Sequence, residues 1–144
     1  MKPFTLLFFC LLGLSSCNMK YDPPTLNMAD QENILTAHKW KGVEKVRFEN
    51  EIQKERISIT SDIYHFKINN IFTLQKSNDD FVTGTWQLYN VSGQAVLSIA
   101  FRQNNQHLIH KSFYISILTN DYLQISESDV VNNEHIRTDY FLKK

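Results

Sequence analysis

His107-Leu108-Ile109-His110 is the nearest approach to a metal-ligand pair in this 144-residue sequence. In a strand, positions three apart point to opposite faces, so the two imidazoles converge only if the segment is helical or turned. His38, His65 and His135 are too scattered along the chain to complete a zinc site. Asp79-Asp80 offers paired carboxylates, the groups of general acid–base chemistry. They sit in the stretch Ser77-Asn78-Asp79-Asp80, where aspartate serves turn geometry. Serines are plentiful, but none lies in a Gly-x-Ser-x-Gly elbow. Only Gly42, Gly84 and Gly93 occur beyond residue 16, so no glycine-rich phosphate loop exists. These residues point away from an enzyme, a metal centre or a cofactor.

Binding is better served. Even spacing sets Glu44 on one face with Trp40, Val46 and Phe48. If that face is inward, the carboxylate must be paired, hydrogen-bonded or protonated. Lys111 and Thr138 share the inner phase of their own segments with Phe113 and Ile136. A Glu44–Lys111 pair is therefore expected, as a binding element or as a structural pair. A bulge after Gly42 would instead turn Glu44 outward. Tyr64, Trp86 and Tyr140 fall on the inner phase too and would line any ligand space with that pair.

Cys17 raises a different chemistry. Lys2 is followed by an apolar run from Phe4 to Leu14 and then two serines, which is the layout of a secretory signal. A membrane-spanning helix needs about 20 apolar residues, and this run is shorter. Leu14-Ser15-Ser16-Cys17 resembles the bacterial lipobox, in which the cysteine thiol is acylated and becomes the first residue. The expected organisation is a signal peptide over 1–16, an acylated Cys17 with a linker to residue 26, and one domain over 27–144. Cys10 leaves with the signal and Cys17 is lipidated, so no disulfide or cysteine nucleophile is expected. By the same resemblance Cys17 carries three acyl chains, palmitate among them. Asn18 is not the aspartate that retains lipoproteins at the inner membrane, which implies an outer-membrane destination. Lys2 is one of 15 basic residues, so the remainder carries one cation fewer than its 15 acids. That near-neutral balance, without a basic stripe, excludes a nucleic-acid surface.

The elements that position these residues are mostly strands. Asn27 caps a short helix over Met28 to His38, with Asp30 in its first turn. From Trp40 the apolar period switches to two. Strands are expected around Val46–Phe48, Tyr64–Ile68, Phe72–Leu74, Gly84–Leu88, Leu97–Phe101, Phe113–Ile117, Leu123–Ile125 and Ile136–Leu142. Asn69-Asn70, Ser92-Gly93 and Asn120-Asp121 supply turns between them. Residues 51–62 fit either a strand extension or a loop. Such short connections force antiparallel neighbours, and eight strands favour closure, which removes free edges. The fold expected is all-β: an eight-stranded antiparallel up-and-down barrel with a short N-terminal helix.

Tyr64-x-Phe66, Asn70-x-Phe72, Gly84-Thr85-Trp86-x-Leu88 and Ile115-x-Ile117-Leu118-Thr119-x-x-Tyr122-Leu123 resemble the lipocalin-like domains of envelope lipoproteins in Bacteroidota. The resemblance covers about residues 35 to 144 and implies the same barrel. One departure stands out. Lipocalins carry Gly-x-Trp on their first strand, whereas here His38-Lys39-Trp40 begins the first strand and Gly84-Thr85-Trp86 lies mid-chain.

Nine aromatics fall on the inner phase: Trp40, Phe48, Tyr64, Phe66, Phe72, Trp86, Phe101, Phe113 and Tyr140. An eight-stranded interior holds side chains or one small ligand, so any cavity is expected to be small and near one mouth. Phe81, Tyr89, Tyr114 and Tyr122 fall outward. The function expected is a non-enzymatic, membrane-anchored envelope lipoprotein binding a small apolar or amphipathic ligand. The alternative is a solid-core module that docks on, or inhibits, another envelope protein.

Overall fold

The computed structural model describes residues 26–76, 80–103 and 107–144. The signal segment, Cys17 with its linker as far as residue 25, Asp79 with the other turn residues 77 and 78, and the break at 104–106 lie outside the described residues.

Asn27 begins helix α1 (Met28–Ala37) by accepting the Asp30 amide on its side-chain oxygen at 2.9 Å. That bond meets one of the donors a helix start leaves unpaired. Nine strands follow: β1 (Lys39–Glu49), β2 (Ile52–Ser58), β3 (Ile63–Phe66), β4 (Ile71–Gln75), β5 (Phe81–Val91), β6 (Gln94–Gln103), β7 (His107–Leu118), β8 (Tyr122–Val131) and β9 (Glu134–Lys143). From β3 to β9 each strand pairs antiparallel with the next, and β1 pairs with β9 to close the ring. The second half of β1 pairs with β2 and its first residues pair with β3. β2 and β3 therefore run in line and share one strand position. The result is a closed eight-stranded antiparallel barrel with one short helix, as the alternation predicts. The ambiguous stretch 51–62 becomes β2 and a kinked link, held by Gly42 N to Asp62 O at 2.8 Å and Ile59 N to Val43 O at 3.1 Å.

The hairpin turns use the residues their geometry needs. Asn50 with Glu51, Ser92 with Gly93 and Asn132 with Asn133 are consecutive pairs at positive φ, and Asn70 lies at φ 62°. Paired positive φ values match the twist of the flanking strands, which favours asparagine and glycine there.

The inward faces build one core. Trp40, Tyr64, Phe66, Phe72, Trp86, Leu97, Phe113 and Leu123 meet Leu35, the buried residue of α1. The helix packs against β3, β5 and β7 at the end where β1 begins. Both tryptophans tie outlying segments to this core. Trp40 Nε1 donates to Leu35 O at 2.9 Å, holding the end of the helix, and Trp86 Nε1 donates to Lys67 O at 2.9 Å, holding the β3–β4 turn. A buried indole N–H needs such a partner. Trp86 is 2% exposed and packs edge-on against Phe66, ring centroids 5.9 Å apart. Gly84 marks an extreme approach of two strands, since a Cβ there would lie 2.1 Å from Ala100 O.

Three bulges reset the side-chain phase. One extra residue, Val43, falls between Gly42 opposite Leu142 and Glu44 opposite Phe141. A second, Ser116, falls between Ile115 opposite Ile125 and Ile117 opposite Gln124. In β2, Lys54 is extra where β1 passes from Arg47 to Phe48. A bulge leaves one residue unpaired and reverses which side chains face inward beyond it.

Candidate functional site

The first bulge separates the expected site residues. Beyond Val43, Lys45 pairs with the inward Tyr140, so Glu44, Val46 and Phe48 turn outward. The inward placement of Glu44, Val46 and Phe48 is thus corrected, along with the Glu44–Lys111 pair. Glu44 instead meets Arg56 of β2 at 3.1 Å. Val46 is only 2% exposed all the same, because the outer face has its own small cluster. Arg137 lies over the Phe48 ring at 4.4 Å and reaches Glu51 at 2.6 Å and Asp139 at 3.2 Å.

Inside the barrel, three of the five expected lining residues do come together. Lys111 Nζ meets Glu127 Oε2 at 2.5 Å, and Tyr140 Oη donates to Glu127 Oε1 at 2.8 Å. Tyr140 packs edge-on against Phe113 at 5.7 Å, and the Lys111 ammonium lies 6.0 Å from the same ring. Burial, then the charges of Asp62 and Glu127, hold the Tyr64 hydroxyl protonated far above the ordinary tyrosine range. Burial also raises Tyr140, helped by the charge of Glu127 and the hydrogen bond to it. Glu127 is the member that alternation missed. Its signal was available, since it sits two residues beyond Ile125 on the same face. Trp86 belongs to the packed floor and not to this cluster. The acceptor and cation of the cluster are satisfied by each other, with aromatic rings packed around them. This is a self-contained polar network and not a set of groups waiting for a ligand.

The second bulge opens a different feature. Ile115 and Leu118 remain inward, but Ile117 is turned out and 48% exposed, correcting its expected place on the inner face. Between this rim and the start of α1 lies a groove of about 810 Å³. Its apolar walls are Leu26, Met28, Ala95, Ile115, Ile117 and Leu118. Its polar groups are the amides of Asn27, Gln31, Asn90 and Gln94, with Ser116 and Thr119. The volume lies within the roughly 300–1,000 Å³ typical of small-molecule sites, and an apolar lining with a few polar groups is the usual composition.

The polar groups of the groove are unevenly committed. Asn27 caps the helix, and Asn90 Oδ1 accepts the Gly93 amide at 2.8 Å. Gln31 Nε2 donates to Leu26 O at 2.7 Å, while its side-chain oxygen is buried with no hydrogen-bond partner among the described residues. A buried acceptor without a donor is uncommon and calls for a cause. Alternation could not reveal this groove. It combines a helix start, the β5–β6 turn and the end of β7, segments that look individually like loop and surface.

His107 and His110 lie in strand β7, where their spacing argues against convergence. His107 pairs with Gln103 and His110 with Ala100, and both histidines are exposed. Among the described residues no group of three or more metal-ligating side chains converges. No family model, curated protein or solved structure matches the chain.

Proposed function

We propose that this protein is a membrane-anchored envelope lipoprotein whose barrel binds, without catalysis, a small amphipathic molecule in the groove at its helix end. The observation that supports binding is the groove itself: about 810 Å³, lined by six apolar residues, with the buried side-chain oxygen of Gln31 left without a donor among the described residues. The anchor rests on the lipobox-like Leu14-Ser15-Ser16-Cys17. Leu26 in the groove wall lies nine positions after Cys17, at the end of the linker, so binding would take place close in sequence to the anchor. The resemblance to lipocalin-like envelope lipoproteins agrees with this reading in fold, while the site differs, lying beside the barrel end and not within it.

The alternative reading uses the outward tyrosines. Tyr89 and Tyr114 both pair with Val96 and so stand on either side of it. Tyr122 is set apart from them, four residues along β8 from the partner of Tyr114. The patch is small beside the groove, and docking is the weaker proposal.

Two measurements test the main reading. A Cys17→Ser chain should lose acyl labelling and move from the membrane to the soluble periplasmic fraction; retention with unchanged mobility would remove the anchor. Native mass spectrometry of that full chain, recovered from its host, should show a small bound species that an Ile117→Glu chain lacks. A bound polypeptide in its place would favour docking.

A further inference from the structure

Resting on the groove as the binding site, we infer that its ligand is a single-chain lipid with an uncharged, hydrogen-bonding head, and that charged heads are excluded. Among the described residues that line the groove none is charged, in a chain where 21% of residues are. Asp30, in the first turn of the helix that walls it, is already engaged, accepting from the Asn27 side chain at 2.7 Å. A carboxylate, phosphate or ammonium entering the groove would give up water and find no counter-charge, which is strongly unfavourable. A hydroxyl or amide head loses less, because carboxamides and hydroxyls both donate and accept.

The walls specify the other half of the molecule. They are aliphatic throughout, with no aromatic ring among the lining residues. Sugars and flat heterocycles are commonly held by stacking on rings. Leucine, isoleucine, methionine and alanine offer no such platform but suit a flexible hydrocarbon chain. The buried, donorless oxygen of Gln31 supplies the polar end. A small rotation of that amide would let a hydroxyl or N–H of the head satisfy it. The Gln94 amide, which makes no side-chain hydrogen bond among the described residues, stands in the same lining.

The test uses three compounds with matched tails: monodecanoylglycerol, decanoate and decyltrimethylammonium. Each is titrated calorimetrically, below its micelle concentration, into the full-length Cys17→Ser chain. Monodecanoylglycerol should bind at least about tenfold more tightly than either charged compound, a margin that one unpaired buried charge readily exceeds. Ile117→Glu should abolish that binding, and Gln31→Leu should weaken it while changing the thermal melt of the unliganded chain little, because the bond it gives up to Leu26 O is solvent-exposed. That melt separates lost contact from lost folding. Decanoate or the ammonium compound binding as tightly as the glyceride would overturn the charge selection and leave the groove as a binding site. If none of the three binds, and native mass spectrometry finds no small ligand either, the binding reading itself is lost. Unchanged affinity in Gln31→Leu removes the assigned role of its oxygen.

Discussion

The barrel interior and the groove at its helix end are both built from strand residues, yet they treat polar groups in opposite ways. The interior holds an ion pair that is closed on itself: Lys111, Glu127 and Tyr140 meet one another against Phe113. The groove holds no charge, and its polar atoms are partly unspent. The difference comes from curvature and bulging. Where strands stay in phase, aromatic side chains fill the narrow interior and any ionised group must be neutralised on site. Where Ser116 interrupts the pairing of β7 with β8, the rim parts from the helix start and leaves open volume. The contrast leaves the open volume beside the packed core.

The largest effect should come from the interior. Trp86→Ala removes an indole that is 2% exposed, its contact with Phe66 and its bond to Lys67 O. Removal of a buried tryptophan costs about 3–5 kcal/mol, a large share of the ~5–15 kcal/mol a domain possesses. Ile117→Ala, at the groove, should cost under about 1 kcal/mol because the side chain is 48% exposed. Urea melts of the two chains measure the gap. Similar midpoints would mean that interior and groove are not distinct in packing.

Next in size is Gly84→Ala. The added methyl would press on Ala100 O, which is backbone and cannot rotate away, and on Phe101 Cβ, 2.8 Å distant. Overpacking of this kind typically costs about 1–3 kcal/mol. A thermal melt that matched the parent would show that β5 and β6 can separate there at no cost.

These two positions also show how far sequence reasoning reaches. Alternation placed Trp86 in the core and Tyr89 outside, and turn chemistry placed the turns at Asn69-Asn70 and Ser92-Gly93 though not those at Asn50-Glu51 and Asn132-Asn133, because the first two signals are local. Asn27 was legible as a cap for the same reason. The bulge after Gly42 could be raised as an alternative but not decided, and the one at Ser116 was not legible. One inserted residue has no composition of its own, and its effect is to reverse every later side chain until the strand ends. Glu44, Phe48 and Ile117 were misplaced together for that single cause. The stretch Ile115-Ser116-Ile117-Leu118 did carry a hint, since strict alternation does not account for Leu118 beside Ile117. Lys111, Tyr64 and Tyr140 were found because no bulge shifts them out of phase. Glu127 was readable in phase but not as the partner of Lys111, because alternation fixes the face of a residue and not which carboxylate a lysine meets.

The polar network predicts a pH dependence that the groove lacks. Tyr64 and Tyr140 are held protonated in the folded state above their ordinary range, chiefly by burial. Their unfolded counterparts titrate near pH ~10. Above that pH the unfolded chain loses protons that the folded chain keeps, so stability falls as pH rises. It is fully present below about pH 10 and is lost progressively above it. Tyr140→Phe should flatten part of this alkaline decline, and Tyr64→Phe another part, in urea melts taken between about pH 9 and 11. An equally steep decline in the double variant would place the sensitivity elsewhere.

The smallest effect concerns the carboxylate that the Val43 bulge turns outward. Glu44 meets Arg56, whose side chain is 58% exposed, across the edge of the β1–β2 hairpin. Solvent weakens such a pair, and exposed ion pairs contribute about 0–1 kcal/mol. Glu44→Gln should therefore shift the urea midpoint little, and raising the salt concentration should erase what shift there is. Glu127→Gln is its inner counterpart. That substitution weakens the bond from Tyr140 and leaves the Lys111 ammonium, 38% exposed on its side chain, without its anion. Hydrogen bonds to charged groups contribute about 1.5–3 kcal/mol; with Lys111 partly solvated, a cost of about 1–2 kcal/mol is expected. The two substitutions make the same chemical change on opposite faces of the barrel. If Glu44→Gln proved the costlier, Glu44 would be the carboxylate inside, the bulge after Gly42 would be absent in solution, and the reversed phase of β1 would fall with it.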